Sequence, residues 1–328
     1  MIARLHFTKK ILNGLVGCLI LVHGQAAWAG ERLTLADAPT LLTGLVALAN
    51  HLGHFRAADL ELAILPFATG DQALQAMEEG RADVATVAET AFVLRLFGQP
   101  ELRALAVIGG CDNEVRILAR RDAGIGALAD LRGKRIATQQ RLSTHFFLDQ
   151  VLLKHGMTMA DITPVFRKLP ELPDLITSGR VDAVITRDPF LSQAIGQLGE
   201  NAIVLEAPGL YDKVFLLAML RERLGQRGPA IQKLLTALVR TEAYVRDHGQ
   251  EAHDLLVRLL PNEKLSSVWH HTRLRLWLDH RFLLTLEDVA AWAMRSQLVQ
   301  ADRVPNFLAN IAAEPLRRVR PIAVNLPE

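Results

Sequence analysis

The sequence predicts an α/β protein of two similar lobes closing on a small molecule, with a helical C-terminal region. Three observations carry this. First, one phrase occurs twice, ninety-nine residues apart: Glu79-Gly80-Arg81-Ala82-Asp83-Val84-Ala85-Thr86-Val87 and Ser178-Gly179-Arg180-Val181-Asp182-Ala183-Val184-Ile185-Thr186. Each copy reads as a helix end, a left-handed glycine cap, a buried parallel strand and a polar loop that opens the next helix. The loops are Ala88-Glu89-Thr90 and Arg187-Asp188-Pro189. Second, strands and helices alternate along both halves, the pattern of βαβ units. Third, 328 residues, half of them hydrophobic, suffice for two such units with large cores. Ligands of open α/β sheets collect beyond the carboxyl ends of strands, so two such loops predict the two walls of a cleft.

The N-terminus reads as an export signal over residues 1–29. Arg4, Lys9 and Lys10 supply its positive region, Ile11 to Val22 its apolar region, and Ala27-Trp28-Ala29 a cleavage site before Gly30. Leu15-Val16-Gly17-Cys18 also resembles a lipoprotein box that would leave an anchor at Cys18. The apolar stretch before it is short and broken by Asn13, so a soluble periplasmic protein is the favoured expectation. Three of the 37 basic residues fall in the leader, and without them the 35 acidic residues exceed the basic ones by one. No basic tract points to nucleic acid. Only Cys111 remains after Cys18, which leaves no intrachain disulfide.

The elements follow in order. Arg32 to Ala36 is a strand, Ala38-Pro39-Thr40 opens a helix through about His51, and Leu60 to Leu65 is a second strand. Phe67-Ala68-Thr69-Gly70 leads into a helix near Asp71. After the first repeat come a helix to about Phe97 and a strand from Leu102 to Ile108. Glu114 to Ala119 then carries the chain into the second lobe. There lie a helix end, turn and strand over Asp130 to Ala137, a helix from about Ser143 to His155, a strand from Ile162 to Phe166 and the second repeat. Ala202 to Leu205 and Val214 to Met219 bring the chain back. The predicted lobes are 30–116 and 117–212, with 213–328 returning to the first lobe and ending in helices such as that striped by Ile231, Leu234, Leu235 and Leu238. The tail from Pro315 is expected to be strand-poor.

Several segments in this order and spacing resemble the periplasmic substrate-binding proteins of ABC importers, in the branch handling sulfonates, taurine, nitrate and thiamine-pyrimidine precursors. They are Gly53-His54-Phe55 with Leu60-Glu61-Leu62, Phe67-Ala68-Thr69-Gly70, and Asp130-Leu131-Arg132-Gly133-Lys134-Arg135-Ile136-Ala137 continuing to Ser143-Thr144-His145-Phe146-Phe147-Leu148. Gly179-Arg180-Val181-Asp182-Ala183, Asp188-Pro189-Phe190, Leu283 to Asp288 and Pro305-Asn306-Phe307 complete the set. The resemblance implies the type II fold: two Rossmann-like lobes with mostly parallel sheets, joined by a two-strand hinge and closing on a ligand in the cleft. It also implies a monomer that hands its ligand to permease subunits driven by an ATPase, with no cofactor.

The resemblance places ligand contacts at Ala38 and Pro39, Glu89 and Thr90, and Asn113 on one lobe. On the other it places them at Ser143, Thr144 and His145, and the loop after the second repeat adds Arg187 and Asp188 as candidates on their own chemistry. A hydroxyl-rich helix start offers free N–H groups and a favourable dipole to an anion, and Arg187 could grip a carboxylate or sulfonate with two hydrogen bonds. Arg141-Leu142 stands where many relatives carry glycine before the Ser/Thr pair. Arg187-Asp188-Pro189 stands where many have Trp-Glu-Pro, and Asp59 replaces a turn glycine.

Ordinary roles compete with these. Ser143 and Thr144 are good helix caps in any protein, Arg187 could pair with a surface acid, His145 could be a core residue, and Cys111 is a small buried residue type. Glu89 would repel an anion but could bind an amine or hydroxyl. His51, His54, His270, His271 and His280 show no ligand spacing for a metal. No nucleophile elbow, phosphate-binding loop, zinc-protease motif or dinucleotide fingerprint occurs. The expectation is a binding protein and not an enzyme. The rivals are a pyrimidine-precursor synthase of the same fold and a ligand-sensing subunit of a receptor.

Overall fold

Both copies of the repeated phrase form the predicted glycine turn and strand. In a computed structural model, which describes residues 30–207, 209–260 and 268–327, Gly80 and Gly179 have φ of 77° and 71°. The predicted export signal, its cleavage site and Cys18 lie outside the described residues. Asp59 also adopts positive φ, 55°, in the turn where the family pattern has glycine.

The strands are β1 (Glu31–Asp37), β2 (Leu60–Pro66), β3 (Val84–Ala88), β4 (Leu102–Cys111), β5 (Arg116–Arg120), β6 (Arg135–Thr138), β7 (Thr163–Phe166), β8 (Ala183–Thr186), β9 (Ala202–Leu205), β10 (Lys213–Leu220) and β11 (Thr272–Arg273). They form a six-stranded sheet in the order β11-β4-β10-β3-β1-β2 and a five-stranded sheet in the order β7-β6-β8-β5-β9. The fold is α/β, of the periplasmic binding protein type.

The sheets are mixed where the sequence reading has them mostly parallel. β1, β2 and β3 run parallel, as do β6, β7 and β8, but β5 and β10 run against their neighbours. The chain path explains this. β4 runs toward the cleft and ends at Cys111, so β5, starting at Arg116 in the other sheet, must run away from it. The return from Leu205 to Lys213 imposes the same reversal on β10. Local sequence specifies a strand, whereas its direction depends on where the chain crosses.

The two repeats also share a strand-start device. Asp83 Oδ2 accepts from Thr34 N at 2.9 Å while Asp83 N donates to Thr34 O at 2.8 Å. Asp182 Oδ2 accepts from Arg135 N at 2.8 Å, and Asp182 N donates to Arg135 O at 2.8 Å. Each aspartate thereby satisfies a donor on the neighbouring parallel strand that the sheet ladder leaves open.

The predicted opening helix begins as a 3₁₀ turn, Leu41–Thr43, before the α-helix Gly44–His51. The C-terminal region is helical at Arg221–Asp247, Gly249–Leu259 and His280–Arg295. Among the described residues the tail has one two-residue strand, Val324–Asn325, beside Leu278–Asp279. Helix His280–Arg295 touches both sheets' helices. It packs on Glu89–Leu96 and on Ser143–Lys154, where buried Trp292 meets His145 and Phe146 with ring centroids 5.1 and 5.4 Å apart.

Candidate functional site

A cavity of about 860 Å³ opens where the carboxyl ends of the parallel strands face each other. The first wall comes from Ala38 and Thr40 after β1, Thr69 after β2, Thr90 after β3, and Lys213 and Phe215 at the start of β10. The second comes from the segment Gln139 to Thr144 after β6, Leu169 and Pro170 after β7, and Arg187 and Phe190 after β8. Ala91 and Leu94 carry the lining along one face of helix Glu89–Leu96. The surface is therefore an apolar groove with charged groups set into it, a common make-up for small-ligand sites.

Two helices start at this cavity without side-chain caps. Leu142 caps Ser143–Lys154 and Ala88 caps Glu89–Leu96, and neither side chain can accept from the first-turn N–H groups. Thr69 and Thr40, by contrast, cap their own helices. The Thr144 hydroxyl is buried and without a hydrogen-bond partner among the described residues. Open N–H groups, a helix dipole and an unsatisfied hydroxyl together favour an acceptor-rich anion. The charged lining agrees, with Arg95, Arg141, Arg187 and Lys213 against Asp71.

Lys213 is buried and forms an ion pair with Glu114, whose carboxylate also lies 4.0 Å from Arg187 Nε. Burial pushes the Glu114 carboxyl upward, but the Lys213 ammonium and Arg187 guanidinium outweigh it and hold the group below its ordinary range. Arg95 is tied at 2.7 Å to both Asp71 and Glu78. Arg141 donates to Leu298 O at 2.7 Å.

Of the residues proposed from sequence, the structure brings Ala38, Thr90, Ser143, Thr144 and Arg187 to the cavity wall. Five others stand off it. Pro39 is exposed outside the lining, and Asn113 sits half-buried on the first crossing. Glu89 is turned away and fully buried, accepting from the Tyr211 hydroxyl and from Val214 N at 2.9 Å. Its helix position matches the expectation, but its side chain points into the chain crossing. Asp188 accepts from Ser192 N at 3.1 Å and from its hydroxyl, with Arg116 3.6 Å away. His145 is wedged between the edges of Phe166 and Trp292, and burial presses its pKa to about 4.

The sequence reading missed Lys213, Phe215, Leu94, Leu169 and Pro170 as wall residues. Lys213 alone carried a signal, a cation directly before the apolar return strand. A smaller void of about 10 Å³, room for about one water, adjoins Cys111, Glu114 and Asp188. Among the described residues no group of three or more His, Cys, Asp or Glu is placed to hold a metal. His54 instead holds Thr241 Oγ1 through Nδ1 at 2.8 Å. No helix among the described residues is long and apolar enough to cross a membrane.

Comparison with known proteins agrees with this architecture. A protein of Escherichia coli (strain K12) named for binding aliphatic sulfonates is 25% identical over 265 residues, 79% of each chain. The alkanesulfonate-binding protein SsuA from Xanthomonas axonopodis pv. citri, solved with MOPS, superposes with a TM-score of 0.71 at 21% identity, covering 87% of this chain and all of that one. The desulfurization enzyme DSZB superposes with a TM-score of 0.63 at 20% identity, covering 88% and 99%, so the fold is shared by binders and an enzyme. The model of the NMT1/THI5-like family matches residues 42–252, and the chain belongs to that family.

Proposed function

We propose that the protein is an extracytoplasmic solute-binding protein that captures a small organic anion between its lobes and delivers it to an ABC permease. The observation that carries this reading is the pair of uncapped helix starts, at Ala88 and Leu142, meeting four basic side chains in one apolar-walled cavity. Sulfonates, taurine, nitrate and carboxylates are the candidate class, and the sulfonate binders among the relatives support the first. The predicted leader supports a periplasmic site of action. Binding proceeds without chemical change. Cys111 lines the small void and not the cavity, and burial pushes its thiol pKa up, away from the reactive thiolate.

A thermal-shift screen of the purified protein against alkylsulfonates, nitrate, aromatic carboxylates and aminopyrimidines tests this. An anion is expected to raise the melting temperature, and the gain should vanish in a Ser143→Ala, Thr144→Ala, Arg187→Ala triple variant. Stabilisation by aminopyrimidines alone would remove the anion assignment. Turnover of a stabilising ligand by the protein on its own would remove the assignment as a pure binder.

A further inference from the structure

We propose that Glu114 makes this cleft a charge filter, accepting singly charged anions and rejecting doubly charged ones. The inference rests on the anion-capture reading and names the charge class of that site. Three groups converge where the chain passes between lobes: Glu114 from the first crossing, Lys213 from the end of the second, and Arg187 from the loop after β8. Lys213 and Arg187 line the cavity, whereas Glu114 stands behind them and borders the small void. Their side chains are 6, 23 and 11% exposed respectively, so solvent does little to screen them from one another.

The three together carry one net positive charge. A single anionic charge balances it. A dianion brings a second charge with no partner and places it close to the Glu114 carboxylate in a poorly solvated site, where like charges repel strongly. The neighbouring groups add no unbalanced cation to this cluster. Arg116 and Asp188 form a pair of opposite charges 3.6 Å apart beside the cluster. Glu89, bound to Tyr211 and Val214 N, keeps the balance while it is protonated; with its pKa raised to about 7, it ionises at higher pH and sets a second carboxylate near Lys213, which disfavours a dianion further. Arg95 already faces two acids, and exposed Arg141, bound to Leu298 O, is screened by water. A carboxylate that weakens a cation pair is otherwise a poor feature of an anion site, and selectivity against dianions gives it a use.

Benzenesulfonate and phenylphosphate test this, because they set tetrahedral heads of different charge on the same ring. The sulfonate is singly charged throughout, while a phosphate monoester gains its second charge near pH ~6. Titration calorimetry of the purified protein at pH 8 should find the sulfonate at least ~tenfold tighter, and Glu114→Gln should move that ratio ~tenfold or more toward the phosphate. An unchanged ratio in Glu114→Gln protein that still binds the sulfonate overturns the filter and leaves anion capture standing. Failure of the wild type to bind either ligand overturns anion capture and the filter together. If Glu114→Gln does not fold, the wild type decides alone. Between pH 5 and pH 8 phenylphosphate should lose at least ~tenfold in affinity relative to benzenesulfonate. Repeating the ratio in Glu89→Gln protein removes the titration of that carboxyl, which weighs more on a dianion than on a monoanion, and a constant ratio overturns the filter.

Discussion

The carboxylate of Glu89, the first residue of a helix at the cleft, accepts a hydrogen bond from the hydroxyl of Tyr211, on the loop that returns the chain from the second sheet. The Tyr211 ring packs on Phe146 and Phe147, with centroids 5.2 and 6.2 Å away, and these belong to the second wall's helix. Tyr211 therefore joins the two sides of the crossing by its hydroxyl on one and its ring on the other. Tyr211→Phe keeps the ring contacts and removes one donor from a fully buried carboxylate. The expected cost is about 2 kcal/mol, read from urea unfolding, and a change below about 0.5 kcal/mol would show that the hydrogen bond has little net value.

The paired strand-start aspartates give a second prediction. Asp83→Ala orphans Thr34 N and Asp182→Ala orphans Arg135 N, each at an expected cost of about 1–3 kcal/mol. The residues serve different sheets and share no partner, so the double variant should lose the sum of the two within about 0.5 kcal/mol. Strong non-additivity in unfolding free energies would mean that the sheets are coupled through these positions.

How much of this was legible follows from what is local. The glycine turns at Gly80 and Gly179 and the strands after them need only neighbouring residues, and they stand in the sequence. Ser143, Thr144, Thr90 and Ala38 were equally accessible, because loops after parallel strands face the cleft whatever the rest of the chain does. Glu89 and Asp188 occupy the same loops, but Glu89 is turned by Tyr211, a partner supplied by folding, whereas Asp188 turns to Ser192, four residues on, a local helix-start contact that competes with the ligand role. Lys213 reaches the wall because β10 inserts between β3 and β4, a placement that no local pattern encodes. The repeated Asp was visible as a letter, but its role needed the register of the adjacent strand.

Gly109 shows how closely the first wall is built. A Cβ at this position in β4 would lie 2.1 Å from Leu42 O, in the 3₁₀ turn that follows Ala38 and Thr40. The obstacle is backbone, so no rotamer change relieves it. Gly109→Ala should destabilise by about 3 kcal/mol and also weaken ligand binding, since the turn must move away from the cleft. Gly53→Ala serves as a contrast: its Cβ meets nothing within 4 Å, so only its positive φ of 70° is penalised, at about 1 kcal/mol. Equal losses of affinity in the two variants would argue against a rigid wall at Leu42.

Two buried groups near the crossing titrate in opposite senses. Burial raises Glu89 to about 7, against the smaller opposing effects of Tyr211, Val214 N and Lys213. The folded state thus holds this proton more tightly than the unfolded state, so its contribution is full below about pH 4.5 and is lost as pH rises through about 7. Burial lowers His145 to about 4, so its contribution is full above about pH 6.5 and is lost as pH falls through about 4. Each shift corresponds to about 3 kcal/mol. Between about pH 4.5 and 6.5 the two slopes oppose each other, and the wild type should show a shallow dependence there from this pair. Glu89→Gln removes that opposition, and relative to the wild type its stability should fall more on acidification across that window, while buried Asp37, raised to about 6, titrates in all three proteins alike. His145→Phe leaves the carboxyl unopposed, and its stability should fall as pH rises from 5 to 7. Urea midpoints of the three proteins at pH 5, 6 and 7 check this, and parallel profiles in the two variants would refute the opposing assignment. Because His145 stands off the cavity wall, His145→Phe should also keep ligand affinity within about threefold, separating its packing role from recognition.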